Sequence, residues 1–140
     1  KQFKVIAKSK DLDFILSKDT EQTRIVGDEF SVMQIFSNLI SNAIKYTLEG
    51  KVEVLIWGNG EKVFVDVIDT GIGISKEYQP HLFQVFSQEE QGYTRKFEGN
   101  GLGLALVKKY YEMNNASIDV ISEKHKGSIF RVGFKLVNSM

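Results

Sequence analysis

Three polar residues on one predicted helix have the chemistry to hold a phosphate and a metal ion. With about 100° per residue, Asn38, Asn42 and Lys45 lie within roughly 60° of one another on such a helix. Two amide oxygens one turn apart, followed by an ammonium group, can bind a hydrated Mg²⁺ and a phosphate. The alternative is an ordinary solvated helix surface.

A second candidate site is the segment Asp69 to Ile74, DTGIGI, at the end of a predicted strand. Strand alternation places Asp69 on the core side with the valines of its strand and Asp66 on the other side. A buried carboxylate needs a hydrogen-bond donor, and the exocyclic amine of adenine is one. Gly71 and Gly73 would let the backbone approach a flat ring. The alternative is a turn that Asp69 caps.

A third candidate is a glycine-rich segment in which Gly99, Gly101 and Gly103 lead directly into a predicted helix. The N–H groups at a helix N-terminus attract anions, which indicates phosphate binding. Arg95 and Lys96 lie just before it, where they could reach a terminal phosphate. The alternatives are a flexible hinge for the glycines and a solvated charge cluster for the cations.

The second and third candidates are joined by the segment Ile74 to Glu98, which is long for a connection without regular structure. Such segments are often active-site lids, so we predict a lid with one short helix near His81 to Phe86. Apolar residues in that helix, among them Phe83 and Phe86, would let the lid dock and undock. Ordinary core packing is the alternative.

The elements that must position these residues follow from hydrophobic periodicity. Alternating apolar residues predict three strands around Leu12 to Leu16, Val52 to Ile56 and Val63 to Val67, and a closing hairpin of Ser117 to Ser122 with Ser128 to Val137. Helical spacing predicts two long helices, Asp28 to Tyr46 and about Gly101 to Met113, with Asn114 and Asn115 ending the second. We therefore expect one α+β domain over residues 1–140. Its predicted architecture is a two-layer α/β sandwich with a mixed, mostly antiparallel sheet and helices on one face.

Composition narrows the classes of partner. The 18 basic residues balance the 18 acidic ones, so there is no positive field to attract nucleic acid or an anionic membrane. Without cysteine the chain has no disulfide, thiolate nucleophile or Cys-bound metal, which fits a reducing compartment. No apolar run approaches the length that spans a bilayer. We therefore expect a cytoplasmic domain. Any membrane anchor of the full-length protein is expected to lie outside this sequence.

The order and spacing of these motifs resemble the ATP-binding catalytic domain of sensor histidine kinases. The motifs NxxxNAxK, DTGIGI, LFxxF and GxGLGL follow one another between about Asp28 and Phe134. The resemblance implies the Bergerat ATP-binding fold of the GHKL superfamily, shared with gyrase-type ATPases, ninety-kilodalton heat-shock chaperones and mismatch-repair ATPases. Two departures are Leu48, where a proline is usual, and Asn114-Asn115-Ala116, where His-Gly-Gly is common.

The resemblance also implies roles for individual residues. In the catalytic and phosphate-binding group are the Mg²⁺ ligand Asn42, its neighbour Asn38, which orients water or phosphate, and the triphosphate contacts Lys45 and Tyr46. In the base-binding group are the adenine-reading Asp69, the lining residues Gly71, Gly73 and Ile74, and the nearby Ser128. In the lid group are the anchors Phe83 and Phe86, the phosphate-contacting Arg95 and Lys96, and the hinge residues Gly99, Gly101, Leu102, Gly103 and Leu104.

A domain of this kind binds MgATP and supplies the γ-phosphate to a histidine on a separate dimerisation segment, with a response-regulator receiver domain as the later partner. Neither His81 nor His125 has the flanking residues of that phosphoacceptor, so we expect both at the surface. One alternative is an ATPase of the same superfamily. Those enzymes carry a glutamate general base where this chain has Asn38, and an amide cannot take a proton from water. The other alternative is a nucleotide-gated binding module without catalysis.

Overall fold

A computed structural model describes residues 7, 12–20, 25, 27–82 and 103–136 of the chain. Its strands are β1 (Asp13–Lys18), β2 (Lys51–Gly58), β3 (Lys62–Asp69), β4 (Ser117–Glu123) and β5 (Gly127–Lys135). Among the described residues the helices with assigned ends are α1 (Glu29–Lys45) and α2 (Gly103–Met113), a 3₁₀ turn lies at Gln79–His81, and Ala7 is also helical.

The five strands form one sheet in the order β1-β2-β3-β5-β4. β1 runs parallel to β2, and the other three neighbouring pairs are antiparallel. The two helices pack against each other, and α1 also contacts β2 and β3 while α2 contacts β4. The predicted two-layer sandwich with a mixed, mostly antiparallel sheet is therefore confirmed.

Helix α1 begins and ends where the sequence predicts. The Asp28 carboxylate accepts a hydrogen bond from the backbone N–H of Ser31 at 3.0 Å, which satisfies one of the free donors of the first turn. Tyr46 is the C-terminal cap. The helix buries one stripe against the sheet, made of Ile35, Leu39, Ile40, Ala43 and Ile44. Because the stripe follows the helical period, the opposite side of α1 is left for polar residues.

Helix α2 ends in a turn that uses asparagine in place of glycine. Asn115 adopts a left-handed φ of 53°, and the N–H of Ala116 bonds to the carbonyl oxygen of Tyr111 at 2.9 Å. This six-to-one bond satisfies a carbonyl at the end of the helix. Ala116 is not among the described residues with positive φ, so the departure from His-Gly-Gly is accommodated by Asn115 alone.

One predicted detail is wrong in part, and another lies mostly outside the described residues. Leu12 is buried, but Leu16 is 69% exposed, so the expected half-buried alternation of β1 fails at its end. β1 is an edge strand paired only with β2, and the helices contact mainly β2, β3 and β4. In the lid, the described helical turn lies at Gln79–His81, before most of the predicted short helix, and the rest of that prediction lies outside the described residues.

Candidate functional site

A cleft opens between the sheet, the C-terminal half of α1 and the start of α2. It encloses about 440 Å³ of empty space, its open mouth included. Its lining residues are Leu39, Asn42, Ala43, Tyr46, Asp69, Ile72, Gly73, Ile74, Leu82, Leu104, Ser128 and Phe130. Most of these side chains are apolar, so the few polar groups among them determine how a ligand is oriented.

The carboxylate of Asp69 is the charged group in this lining. It lies at the end of β3, directly opposite Ser128 of β5. Its Oδ1 accepts a hydrogen bond from the Gly71 N–H at 2.8 Å. Burial raises the pKa of Asp69 from 3.8 to about 6, although the backbone N–H groups of Gly71 and Ser128 act in the opposite direction. At pH 7 the group is therefore an ionised, partly dehydrated hydrogen-bond acceptor.

The loop after Asp69 needs glycine at two positions. A Cβ at Gly71 would collide with the carbonyl oxygen of Tyr46, and one at Gly73 would collide with the carbonyl oxygen of Glu123. Gly73 also has a φ of 70°, which side chains other than glycine rarely adopt. The loop thus lies tightly between the end of α1 and the β4–β5 turn. Close packing therefore requires glycine at both positions.

Hydrogen bonds from the Ile72 backbone hold the loop in that position. Its N–H donates to the Tyr46 carbonyl at 3.3 Å, and its carbonyl accepts from the His125 N–H at 2.6 Å. His125 is exposed, as predicted, so its backbone and not its imidazole serves the site.

The polar face of α1 reaches the cleft through Asn42. Asn38, one turn earlier, is half-buried and lies outside the lining. Lys45 is exposed, and its ammonium lies 5.5 Å from the centre of the Tyr46 ring. The structure therefore brings Asn42 and Tyr46 to the cleft and leaves Asn38 and Lys45 beside it.

The predicted site residues fall into three groups. The structure brings seven of them together in the lining, namely Asn42, Tyr46, Asp69, Gly73, Ile74, Leu104 and Ser128. Three do not line the cleft, namely Asn38, Lys45 and Gly71, and Gly103 is described only as the first residue of α2. Seven lie outside the described residues, namely Phe83, Phe86, Arg95, Lys96, Gly99, Gly101 and Leu102.

Sequence reasoning missed five lining residues, all of them apolar or small: Leu39, Ala43, Ile72, Leu82 and Phe130. Leu39 and Ala43 belong to the periodic apolar stripe of α1, a pattern that predicts core residues. Part of the same stripe borders the cleft. Phe130 follows Ser128 at the two-residue spacing that places both on one face of a strand. Ile72 and Leu82 lie within the motifs DTGIGI and LFxxF, so three of the five had a signal in the sequence.

Two features are absent from the part of the chain that the structure describes. No group of three or more His, Cys, Asp or Glu side chains there could hold a metal ion by itself. No helix there is long and apolar enough to cross a membrane.

Known proteins resemble this chain in sequence and in fold. The family described as histidine kinase-, DNA gyrase B- and HSP90-like ATPase matches residues 27–138. The circadian input-output histidine kinase CikA of Thermosynechococcus vestitus is 41% identical over 82% of the chain, and the sensor histidine kinase RcsC of Escherichia coli is 40% identical over 79%. These matches cover only 16% and 12% of the two relatives.

A solved structure of full-length ShkA in complex with AMPPNP superposes with a TM-score of 0.83, covering 99% of this chain and 28% of that one at 24% identity. That likeness concerns the fold, whereas the family match covers every described element from α1 to β5. The chain belongs to the histidine kinase-, DNA gyrase B- and HSP90-like ATPase family, and it is an ATP-binding catalytic domain of the type found in sensor histidine kinases.

Proposed function

We propose that the cleft binds MgATP and that the domain supplies the γ-phosphate to a histidine on a separate dimerisation segment. The observation that carries this proposal is the position of Asp69, a half-buried acceptor at the end of β3 that lines the cleft. The match to sensor histidine kinases over most of the chain supports the assignment of phosphate transfer. A response-regulator receiver domain would be the next acceptor.

Asp69 would read the base. An ionised carboxylate accepts hydrogen bonds and donates none, so it suits the exocyclic amine of adenine. A base with a carbonyl at that ring carbon would leave the buried acceptor without a donor, which costs orders of magnitude in affinity. Gly73 and Ile74 would contact the base, since both line the cleft. Gly71 would act from behind them by holding Asp69.

The α1 face would hold the phosphates and the metal ion. Mg²⁺ usually keeps several waters and takes one or two protein oxygens in addition to substrate phosphates. Asn42 offers one such amide oxygen within the lining, so the donor set fits this ion. A bound Mg²⁺ would neutralise phosphate charge. Asn38 and Lys45, beside the cleft, would orient and bind the terminal phosphates, with Tyr46 contacting the triphosphate.

The lid and its hinge would close over the phosphates. Leu104, in the first turn of α2, lines the cleft, which supports a phosphate site at this helix start. Residues before it would complete the site: the anchors Phe83 and Phe86, the cations Arg95 and Lys96, and the hinge residues Gly99, Gly101, Leu102 and Gly103.

One residue, Asn38, favours phosphate transfer to histidine over hydrolysis of ATP. Asn38 occupies the position at which related ATPases carry a glutamate general base, and its amide cannot remove a proton from water. Catalysis would then rest on alignment of the γ-phosphate and on neutralisation of its charge.

A three-part assay tests this proposal. The purified domain is titrated with ATP in the presence of Mg²⁺, and it is then incubated with labelled ATP and a separately supplied dimerisation segment. Label on the histidine of that segment supports the kinase. Release of free phosphate at the expense of transfer would identify an ATPase, and binding without either reaction would identify a nucleotide-gated module.

A further inference from the structure

Ser122 does not line the cleft, but it is bonded to two residues that do, one in the loop after β3 and one on β5. Its Oγ accepts a hydrogen bond from the Ile74 N–H at 2.8 Å and donates to the Gly127 carbonyl at 3.0 Å. It also lies 2.7 Å from the Oγ of Ser128. Ile74 and Ser128 line the cleft, whereas Ser122 does not. One hydroxyl outside the cleft is therefore bonded to two residues that would contact a bound base.

Gln79 completes the connection from the other side of Ile74. Its Nε2 donates to the carbonyl oxygens of Ile74 at 3.0 Å and of Ser122 at 3.1 Å. Both backbone polar groups of Ile74 are thus engaged by the pair Ser122 and Gln79. Because the loop carries Gly73, which has no side chain to pack, these bonds define where the backbone of Ile74 lies.

The three contacts also bear on the direction of the hydrogen bond between Ser122 and Ser128. A hydroxyl has one proton to donate and two lone pairs to accept with. Ser122 accepts from the Ile74 N–H with one lone pair, and its single proton has two acceptors within reach, the Gly127 carbonyl and the Ser128 Oγ. With the Ser122 proton on the Gly127 carbonyl, the Ser128 hydroxyl donates to Ser122, and what Ser128 has left for a ligand is acceptor capacity.

We propose that Ser122 is a positioning residue for base recognition: it fixes Ile74 and turns the Ser128 hydroxyl into a hydrogen-bond acceptor beside the Asp69 carboxylate. The cleft then presents two acceptors, directly or through water, and it selects a purine with an amine over one with a carbonyl. This inference rests on the proposed binding of ATP and adds a determinant of selectivity to it.

The test compares ATP with inosine triphosphate, whose base carries a carbonyl where adenine carries the amine. Ser122→Ala releases the Ser128 hydroxyl, which can then donate to that carbonyl. We expect ATP affinity to fall by about three- to tenfold, as for the loss of one hydrogen bond, with little loss for inosine triphosphate. The selectivity ratio, measured by titration in the presence of Mg²⁺, falls accordingly.

Three further variants make the result specific. Ser122→Thr keeps the hydroxyl and retains the ratio. Ser122→Cys keeps the size of the side chain but has only a weak donor and a weak acceptor, so it lowers the ratio and serves if Ser122→Ala does not fold. Ser117→Ala is the matched control, because Ser117 lies on the same strand and outside the cleft, and it leaves the ratio unchanged.

A general loss of stability would weaken both nucleotides alike and would leave their ratio unchanged. The inference is overturned if Ser122→Ala keeps the wild-type ratio, or if Ser117→Ala lowers it as much. Failure of the proposed function is a different result, in which the wild-type domain does not bind ATP at all.

Discussion

Arg131 on β5 and Asp66 on β3 form a bidentate ion pair on the face of the sheet opposite the cleft. The Arg131 Nε donates to Oδ1 of Asp66 at 2.9 Å, and Nη2 donates to Oδ2 at 3.0 Å. Asp66 is only 3% exposed, and the guanidinium lies 5.1 Å from the centre of the Trp57 ring. Asp66 and Asp69 thus lie on opposite faces of one strand, and among the described residues only Asp66 has a cation as its partner.

Removing the cation should destabilise the fold without affecting the nucleotide site. Arg131→Met leaves the buried Asp66 carboxylate without a partner, and we expect a loss of about 3–5 kcal/mol in the free energy of unfolding. Urea denaturation measures this loss. The double variant Asp66→Asn/Arg131→Met should recover much of it. If the two variants are equally unstable, the unpaired carboxylate is not the cause.

Asp69→Asn should weaken ATP binding and stabilise the nucleotide-free domain. The amide brings donors to a site built for an acceptor, so we expect ATP affinity to fall roughly 10- to 100-fold, as for a hydrogen bond to a charged group. The folded state holds the ionised carboxylate unfavourably, since the pKa of Asp69 is about 6 against an ordinary 3.8. The nucleotide-free variant should therefore be more stable at pH 8, on the order of 1–3 kcal/mol. Unchanged ATP affinity in a titration would contradict the assignment of the base pocket.

The same carboxyl group should make nucleotide binding depend on pH. Because Asp69 must be ionised to accept, ATP affinity should fall by up to about tenfold per pH unit below pH 6. The stability of the nucleotide-free domain changes in the opposite sense. The folded state takes up this proton more readily than the unfolded chain, so this contribution to stability rises as pH falls from 7 towards 4.

The Asp69→Asn variant is the control for this pH dependence, because ATP itself also titrates in this range. The difference in log affinity between the wild type and the variant isolates the carboxyl group. A difference that stays constant between pH 5 and pH 8 would show that Asp69 does not titrate there.

Asn42→Ala should chiefly remove the dependence of ATP binding on Mg²⁺. Asn42 is the amide of the α1 polar face that lines the cleft, and its oxygen is the proposed protein ligand of the ion. Titrations with ATP in Mg²⁺ and in EDTA should give similar affinities for the variant. Ser41→Ala, on the exposed side of the same helix, is the matched control. If Asn42→Ala still binds ATP more tightly with Mg²⁺, another group holds the metal.

Local patterns were enough to predict much of this fold. The cap at Asp28 and the periodic stripe give the limits of α1 almost to the residue, because both act within one or two turns. Strand parity correctly placed Asp69 and Asp66 on opposite faces, since that alternation is set by the backbone alone. The exposure of Leu16 was not predictable in this way, because alternation does not reveal what covers a strand.

The connection through Ser122 could not be predicted from local patterns. Its bond to Ile74 joins residues 48 positions apart in sequence, and its bond to Ser128 depends on the register of β4 with β5. The sequence around a serine on a strand does not indicate how many hydrogen-bond partners its hydroxyl has. The apolar lining was missed for a related reason: Leu39 belongs to the same stripe as the core, and only the packing of the layers decides which part borders a cleft.

Asn114 should contribute to stability by tying the two helices together. Its Oδ1 accepts from the Asp28 N–H at 2.7 Å, and its Nδ2 donates to the Ser31 Oγ at 2.9 Å and to the Tyr110 carbonyl at 2.8 Å. Asn114→Ala removes all three bonds where α2 ends and α1 begins, and we expect a loss of about 1–3 kcal/mol in urea denaturation.

The neighbouring residue provides the control for Asn114→Ala. Asn115 is exposed and has a φ of 53°, a conformation that glycine adopts without strain, so Asn115→Gly should be neutral or stabilising by up to about 1 kcal/mol. The two adjacent asparagines should therefore respond in opposite directions, because one supplies side-chain bonds and the other only a backbone conformation. Equal stability of Asn114→Ala and the wild type would show that α1 and α2 are held together by their apolar contacts alone.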